Sequence, residues 1–307
     1  MQDSVAIIDM GTNTFHLLIA EWKGNHYQFI HQEKQAVKIG VGGLNQGMIT
    51  EAAVERAVDT LKQFVLTIQK LNVKKTMAFG TSALRSAENA DKITERIKSE
   101  TGLNAQIISG EREAEYIYLG VRSALNLGKE KSLIIDIGGG SVEFIIGNQD
   151  EIFWKNSYDI GGQRLLEKFH RHDPILPNEI NNLNAYFDVV LPELVSALNR
   201  HNPITLVGSS GTFDTLSEMY CVQHNLPWCP EDPETLLTFD SFQSTFSQLI
   251  IKNRKERMEM KGMIDMRVDM IVVACCLIQY ILDHHYFENI RVSSYSLKEG
   301  VLASLKN

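Results

Sequence analysis

Apolar positions along this chain follow two rhythms. Val5–Met10 is an apolar run, and Phe15–Trp22 follows after a short turn, so both read as strands. Lys23-Gly24-Asn25 predicts a hairpin turn into a third strand, Tyr27–Gln35. A glycine-rich loop, KIGVGGLNQG, occupies 38–47. After Thr50, a predicted N-cap, Val54, Ala57, Val58, Leu61, Phe64, Val65, Ile68 and Leu71 recur at three- and four-residue steps. That spacing is the single apolar stripe of an amphipathic helix. Thr76–Gly80 reads as a strand, Lys92–Ser99 as a helix and Ala105–Ile108 as a strand. Glu111–Leu127 reads as a helix whose first-turn acids suit the positive end of its dipole.

The order then starts over. Ser132–Ile137, Val142–Gly147 and Glu151–Tyr158 predict three strands, followed by helices at 163–170 and 178–199. Ile204–Val207 predicts a strand that runs through GSSGT into a helix. Helices at 241–252 and 265–285, a strand Ile290–Ser293 and a last helix from 297 complete the chain. Three consecutive strands, then alternating helices and strands, occur twice. The expectation is an α/β protein of two tandem domains, 1–125 and 126–307, each built on a mixed sheet, with a cleft between them.

The bulk numbers agree with that plan. The 307 residues suffice for two ordinary domains, and 44% hydrophobic with 22% charged residues is a globular composition. The longest apolar run, Met270–Leu282, has 13 residues, too few to span a bilayer, so it predicts a buried helix and no integral membrane contact. The N-terminus enters a strand pattern directly, without the features of a signal peptide. Cys221, Cys229, Cys275 and Cys276 lack zinc-site spacing and read as core thiols of a reducing, cytoplasmic compartment. A formal net charge of −8 argues against nucleic-acid or anionic-membrane partners. A polyanionic ligand would need basic groups gathered locally.

Candidate chemistry sits where the two halves repeat each other. IIDMGTNT at 7–14 and IIDIGGGS at 134–141 match Asp9 with Asp136, Gly11 with Gly138, and Thr12, Asn13, Thr14 with Gly139, Gly140, Ser141. In each, an apolar strand ends in an aspartate, turns tightly and leaves as another strand. Such a turn presents successive amides and hydroxyls to an anion, and its aspartate can hold a divalent metal or a water. Singly, either is an ordinary hairpin; as a matched pair they predict two phosphate loops. GTSALR at 80–85 ends in Arg85, whose planar fork suits phosphate. GSSGT at 208–212 opens a helix, whose N-terminal amides attract phosphate. In SGEREAEY at 109–116, Glu111 and Glu113 are either plain helix-start acids or a source of the base that activates water. Glu143 is a second such acid, set in an otherwise apolar strand, VEFIIG, where unpaired burial would be costly.

The paired aspartate turns resemble the phosphate loops of the actin and sugar-kinase superfamily. Within it, IIDMGTNTFHLLIA, GTSALR, SGEREAEYIYLG, IIDIGGGSVEF, GSSGTFDTL and SYSLKEGVL, in this order, resemble the exopolyphosphatase/guanosine pentaphosphate phosphatase family over essentially the whole chain. The resemblance implies two actin-like, ribonuclease H-like domains and Mg²⁺-dependent hydrolysis of a terminal phosphoanhydride. It implies that Glu113 is the catalytic base, with Glu143 a second catalytic acid, and that Asp9, Asp136 and Glu143 hold metal or water. Gly11, Thr12, Asn13, Arg85, Gly138, Gly139, Gly140, Ser141, Ser209, Ser210, Gly211 and Thr212 would bind phosphate. The substrate would be polyphosphate or guanosine pentaphosphate, and the family allows a homodimer.

The chain departs from the family pattern in three places. It lacks the extra helical C-terminal region of the long members, it has Lys38-Ile39-Gly40 where Arg-Leu-Gly is usual, and it has Leu297-Lys298-Glu299-Gly300 where Leu-Arg-Glu-Gly is usual. The core chemistry is thus expected intact and the grip on a long substrate altered. An ATP-dependent kinase of the same superfamily and a non-catalytic sensor of guanosine tetra- or pentaphosphate are the rival readings. Lys38, Arg112, Lys261, Arg267 and Lys298 are candidate substrate contacts whose default is solvation or structural pairing. His284-His285 is a weak metal candidate, because adjacent helix residues diverge.

Overall fold

A computed structural model describes residues 4–24 and 26–305. Asn25, the last residue of the predicted hairpin turn, lies outside them; Gly24 before it has the positive φ of 64° that such turns require. The chain divides into two compact units. One comprises the residues up to Glu113 and those from Val301 onward, and the other is Ala114–Gly300.

The first unit is built on strands β1 (Ser4–Met10), β2 (Thr14–Lys23), β3 (His26–Ala36), β4 (Lys75–Gly80) and β5 (Ala105–Ile107). They form one sheet in the order β3-β2-β1-β4-β5. β1–β3 pair antiparallel, whereas β4 and β5 add parallel to the other side of β1. β1 is therefore central, which explains its near-continuous apolar sequence: both faces are covered. The predicted stripe from Val54 to Ile68 is the inward face of helix α1 (Glu51–Lys70), with Val65 half-buried, whereas Leu71 lies past the helix end and is exposed; the Thr50 side chain accepts a hydrogen bond from the Ala53 amide at 3.3 Å, as an N-cap should. The single-turn helix α2 (Ser82–Ser86), α3 (Ala90–Thr101) and the start of α4 (Gly110–Ala124) complete the layer. Ile8, Phe15, Leu17, Leu61 and Phe64 are among its fully buried core residues.

The second unit repeats the order with β6 (Ser132–Ile137), β7 (Val142–Gly147), β8 (Ile152–Tyr158), β9 (Thr205–Ser209), β10 (Glu234–Thr235) and β11 (Asn289–Ser293), arranged β10-β11-β9-β6-β7-β8. β6–β8 pair antiparallel, β9 lies parallel to β6 and β11 parallel to β9. Each unit thus has the actin-like, ribonuclease H-like plan: three consecutive antiparallel strands and then parallel additions across the first of them. Helices α5 (Gly162–Phe169), α6 (Pro177–Val190), α7 (Pro192–His201), α8 (Gly211–Gln223), α9 (Phe239–Leu249), α10 (Arg254–Met258), α11 (Ile271–His284) and α12 (Leu297–Ser304) follow in chain order.

Three expectations need correction. The helix predicted over 178–199 is two helices, α6 and α7, because Pro192 lacks the amide that would continue α6; proline is accepted at the first position of a helix, so it starts α7 instead. The helix predicted from 265 begins at Ile271. Before it the chain makes turns, and the Val268 carbonyl accepts from Nε of the buried Arg257 at 3.1 Å. α10 was not foreseen, although Asn253 and Glu256 form a capping box at its start. All four cysteines are free, and no described helix is long and apolar enough to cross a membrane.

Candidate active site

In the first unit, Asp9 stands one residue before the end of β1, in register with His16 of β2. The turn between the strands closes when the Gly11 amide donates to the Thr14 carbonyl at 3.1 Å. A Cβ at Gly11 would lie 2.9 Å from that oxygen, which is why glycine stands there. The following strap then takes up the turn's carbonyls. Gly40 N–H donates to Thr12 O at 3.0 Å, and the Val37 and Lys38 amides donate to Asn13 O at 3.0 and 2.9 Å. Arg56 of α1 holds the strap in turn, donating to the carbonyls of Val37 and Lys38 at 2.9 and 3.0 Å. Thr12, Asn13 and Thr14 are buried.

Two expected residues of this unit find each other. Arg85 Nη1 donates to Glu113 Oε2 at 2.7 Å and to the Ile108 carbonyl at 3.2 Å. α2 and the first turn of α4, from different parts of the chain, bring them together. Glu113 is buried whereas Glu111 is exposed, so the geometry separates the two acids that the sequence left open.

In the second unit the Gly138 amide donates to Ser141 O at 3.0 Å, and a Cβ at Gly138 would stand 3.0 Å from the same oxygen. Here the start of α5 takes up the carbonyls. Gly162 N–H donates to Gly138 O at 2.9 Å, Gln163 N–H to Gly139 O at 2.8 Å and Gly161 N–H to Gly140 O at 3.2 Å. Arg164 Nε adds a bond to Gly140 O at 2.9 Å. With its carbonyls engaged, the turn keeps its amides for a ligand: among the described residues, neither Gly139 nor Gly140 donates to a backbone carbonyl. An amide-lined, carbonyl-poor turn is suited to an anion.

Asp136 is 5% exposed at the end of β6, in register with Glu143 of β7 and Ser209 of β9. Ser209 Oγ donates to its Oδ2 at 3.2 Å, and the Ser296 hydroxyl donates to the same oxygen. Burial raises the Asp136 pKa above the ordinary aspartate value, and the hydroxyls of Ser296, Ser209 and Ser210 and the charge of Arg267 oppose that rise. Glu143, only 1% exposed, accepts from Ser157 Oγ of β8 at 2.7 Å. This hydroxyl is one element of the pairing that burial of a carboxylate demands.

Ser210 adopts φ 71°, ψ 176°, a backbone region nearly confined to glycine, directly before α8 begins at Gly211. Its side chain does not cap the helix. Thr212 is buried in the first turn of α8, and the Arg267 guanidinium lies so close against Gly211 that a Cβ there would overlap it. Arg267 is 8% exposed, and its Nε is buried without a hydrogen-bond partner. Burial lowers its pKa, opposed by the charges of Asp214 and Asp136. Asp214 and Asp136 offset part of the cost of burying this charge, and its unbonded Nε leaves it able to take a further anion.

The other candidates separate. Lys38, Arg112 and Lys261 are exposed, and Lys298 is ion-paired with Glu299 at 2.7 Å. His284 Nδ1 lies 2.7 Å from the Tyr280 carbonyl and His285 Nε2 lies 2.8 Å from the Pro203 carbonyl, so each ring serves a different backbone group. Among the described residues, no group of three or more histidine, cysteine, aspartate or glutamate side chains is close enough to hold a metal ion. Ser296, in the SYSLKEGVL stretch, carries no signal of its role in the sequence. Nor do Arg164 and Arg56, whose tasks are to hold backbone.

Comparison with known proteins adds an independent line. The Ppx/GppA phosphatase family model matches residues 18–307. The crystal structure of an exopolyphosphatase from Cytophaga hutchinsonii is 46% identical, covers 99% of this chain and 97% of its own, and superposes with a TM-score of 0.96. The Aquifex aeolicus member of the Ppx/GppA family is 27% identical, covering 99% and 98% of the two chains with a TM-score of 0.80. A guanosine-5'-triphosphate,3'-diphosphate pyrophosphatase of Photobacterium profundum is 27% identical over 97% of this chain and 58% of its own length.

Proposed function

The chain belongs to the Ppx/GppA phosphatase family, and from that premise we propose that it is a hydrolase that releases terminal phosphate from inorganic polyphosphate, guanosine pentaphosphate or both, with Mg²⁺ as its cofactor. The observation that carries this reading is the repeated turn with its carbonyls tied back, accompanied in the second unit by a buried arginine whose Nε has no protein partner. Both features are built for an anion with several negatively charged oxygens.

In this reading the turn amides, Arg85 and Arg267 bind and neutralise phosphoryl oxygens, the main task of a catalyst for phosphoryl transfer. Glu113 Oε takes the proton of the attacking water, and Arg85 orients that carboxylate through its 2.7 Å bond. Asp136 and Glu143, in register on β6 and β7, would hold the cation; both offer the hard oxygen donors that Mg²⁺ prefers. A bound divalent cation supplies charge neutralisation on the phosphate oxygens. Ser209, Ser210 and Ser296 keep the Asp136 carboxylate in place despite its burial.

The deciding experiment follows free phosphate from polyphosphates of several lengths, guanosine pentaphosphate and ATP, at fixed Mg²⁺, with and without a sugar or carboxylate acceptor. Phosphate release from a polyphosphate or guanosine pentaphosphate without acceptor is expected. Transfer that requires an acceptor, or tight nucleotide binding without turnover, would overturn the proposal.

A further inference from the structure

The N-cap serine of α12 does not do what N-cap serines do. A capping serine accepts a hydrogen bond from an amide in the first helical turn, and in a capping box a glutamate three residues on reciprocates. Only half of that box is present here. The Ser296 amide donates to Glu299 Oε2 at 2.9 Å, while the Ser296 hydroxyl is diverted to Asp136 Oδ2. Ser210, before α8, shows the same diversion: its side chain makes no capping bond and acts on Asp136. Two helix starts thus turn a serine hydroxyl toward one carboxylate.

The placement of Ser296 is also firmly built. Its carbonyl accepts the Gly300 amide at 3.0 Å and sits against Gly120 of α4, where any Cβ would overlap it. Glu299, which holds the Ser296 amide, is itself buried and ion-paired with Lys298. Ser296 donates to Oδ2, the Ser209 hydroxyl proton is shared between Oδ2 at 3.2 Å and the Tyr295 carbonyl at 3.3 Å, and neither serine donates to Oδ1. A carboxylate pinned by one oxygen presents the other in a fixed direction, as groups behind a metal ligand commonly do.

We propose that Ser296 is a positioning residue of the cation half-site: with Ser209 it locks Oδ2 of Asp136 so that Oδ1 is presented to a divalent cation. The role rests on the hydrolase reading for its purpose, but not for its test. Mn²⁺ binding to the full chain, without substrate, is measured by calorimetry for wild type, Ser296→Ala, Ser296→Thr and Asp136→Asn, together with thermal unfolding. Ser296→Ala keeps the amide bond to Glu299 and should fold. Its Mn²⁺ dissociation constant should rise about 10-fold or more, the usual cost of losing a group behind a metal ligand. Ser296→Thr, which keeps the hydroxyl, should restore most of the affinity. If Ser296→Ala does not fold, Ser209→Ala, which removes the other donor to Oδ2, is expected to weaken Mn²⁺ in the same way.

A folded Ser296→Ala with wild-type affinity, while Asp136→Asn binds weakly, overturns the positioning role and leaves the hydrolase reading standing. Weakened Mn²⁺ binding in a protein that releases phosphate from none of its proposed substrates upholds the role and removes the hydrolase reading. Absence of saturable Mn²⁺ binding in the wild type overturns the role.

Discussion

In the turn after β1, the Gly11 amide closes onto Thr14 O at 3.1 Å; in the turn after β6, the Gly138 amide closes onto Ser141 O at 3.0 Å. The two backbones are matched, and each outgoing strand sets a residue opposite the aspartate, His16 opposite Asp9 and Glu143 opposite Asp136. What surrounds them is not matched. The first turn carries side chains, Thr12 and Asn13, and is braced by the turn-rich segment 37–40. The second carries bare glycines and is braced by the amides that open α5. Asp9 is partly exposed, whereas Asp136 is buried beneath three serine hydroxyls. Duplication has kept the shape that holds an anion and left each copy to acquire its own chemistry. The paired Arg85 and Glu113 belong to the first unit, and the buried Arg267 to the second.

The largest expected effect tests that division. Glu113→Gln preserves volume and removes the base, so phosphate release should fall about 10²–10⁴-fold with the fold intact by circular dichroism. Glu143→Gln, at a carboxylate held by Ser157, should cost less. If the order is reversed, the base belongs to the second unit and the assignment of roles to the two copies is wrong. Next comes the bracing. A Cβ at Gly161 would overlap the backbone of Gly139 and Gly140, whereas a Cβ at Gly40 would meet side chains alone, the Thr12 methyl and Leu44. A backbone cannot give way as a side-chain methyl can. Gly161→Ala should therefore lower kcat/KM about 100-fold, the scale of a small displacement of a catalytic group, and Gly40→Ala distinctly less. Equal losses would mean that the two braces are equivalent.

The elements that the sequence reading recovered are those whose signal is local. The strand triplets, the α1 stripe and its Thr50 cap each depend on neighbours a few positions apart. The two aspartate turns were legible because the chain contains them twice. Pro192 was in view, but proline serves equally to break a helix and to begin one, and only packing decides. The site's pairings were out of reach for a different reason. Arg85 and Glu113 are 28 residues apart, and Ser296 and Asp136 are 160 apart. No periodicity links residues at such separations; the sheet register and the two helix starts do. Arg267 was noted only as a possible contact, since nothing in a sequence distinguishes a buried arginine from a solvated one.

A third prediction uses the difference in burial between the aspartates. The folded-state pKa of Asp136 is raised by burial, so the folded chain holds that proton more readily than the unfolded chain. Ionising Asp136 therefore costs stability as pH rises from the ordinary aspartate value, about 3.9, through the raised one. Asp136→Asn removes the cost. Without divalent cation, its Tm should exceed wild type at pH 7, and the gain should vanish as pH falls below about 4. Asp9→Asn, at the more exposed twin, should gain less. A lower Tm for Asp136→Asn at pH 7 would show that the serine hydroxyls outweigh burial.

The smallest effect concerns the connections from β4 and β9 into the helices that follow them. Thr81, before α2, has φ −109°, whereas Ser210, before α8, has φ 71° with ψ 176°. The second is a glycine conformation occupied by serine, a strain on the order of 1–3 kcal/mol. Ser210→Gly relieves it but gives back roughly 0.5–1 kcal/mol in chain entropy. Its urea midpoint should therefore rise slightly at unchanged m-value, and that of Thr81→Gly should fall. If strain were all that Ser210 carried, the glycine variant would be the better protein. The hydroxyl acting on Asp136 supplies the reason for serine, so Ser210→Gly should lose phosphate-release activity several-fold while gaining stability. Gain of both would mean that the hydroxyl does nothing at this site and that Ser209 and Ser296 hold the carboxylate alone.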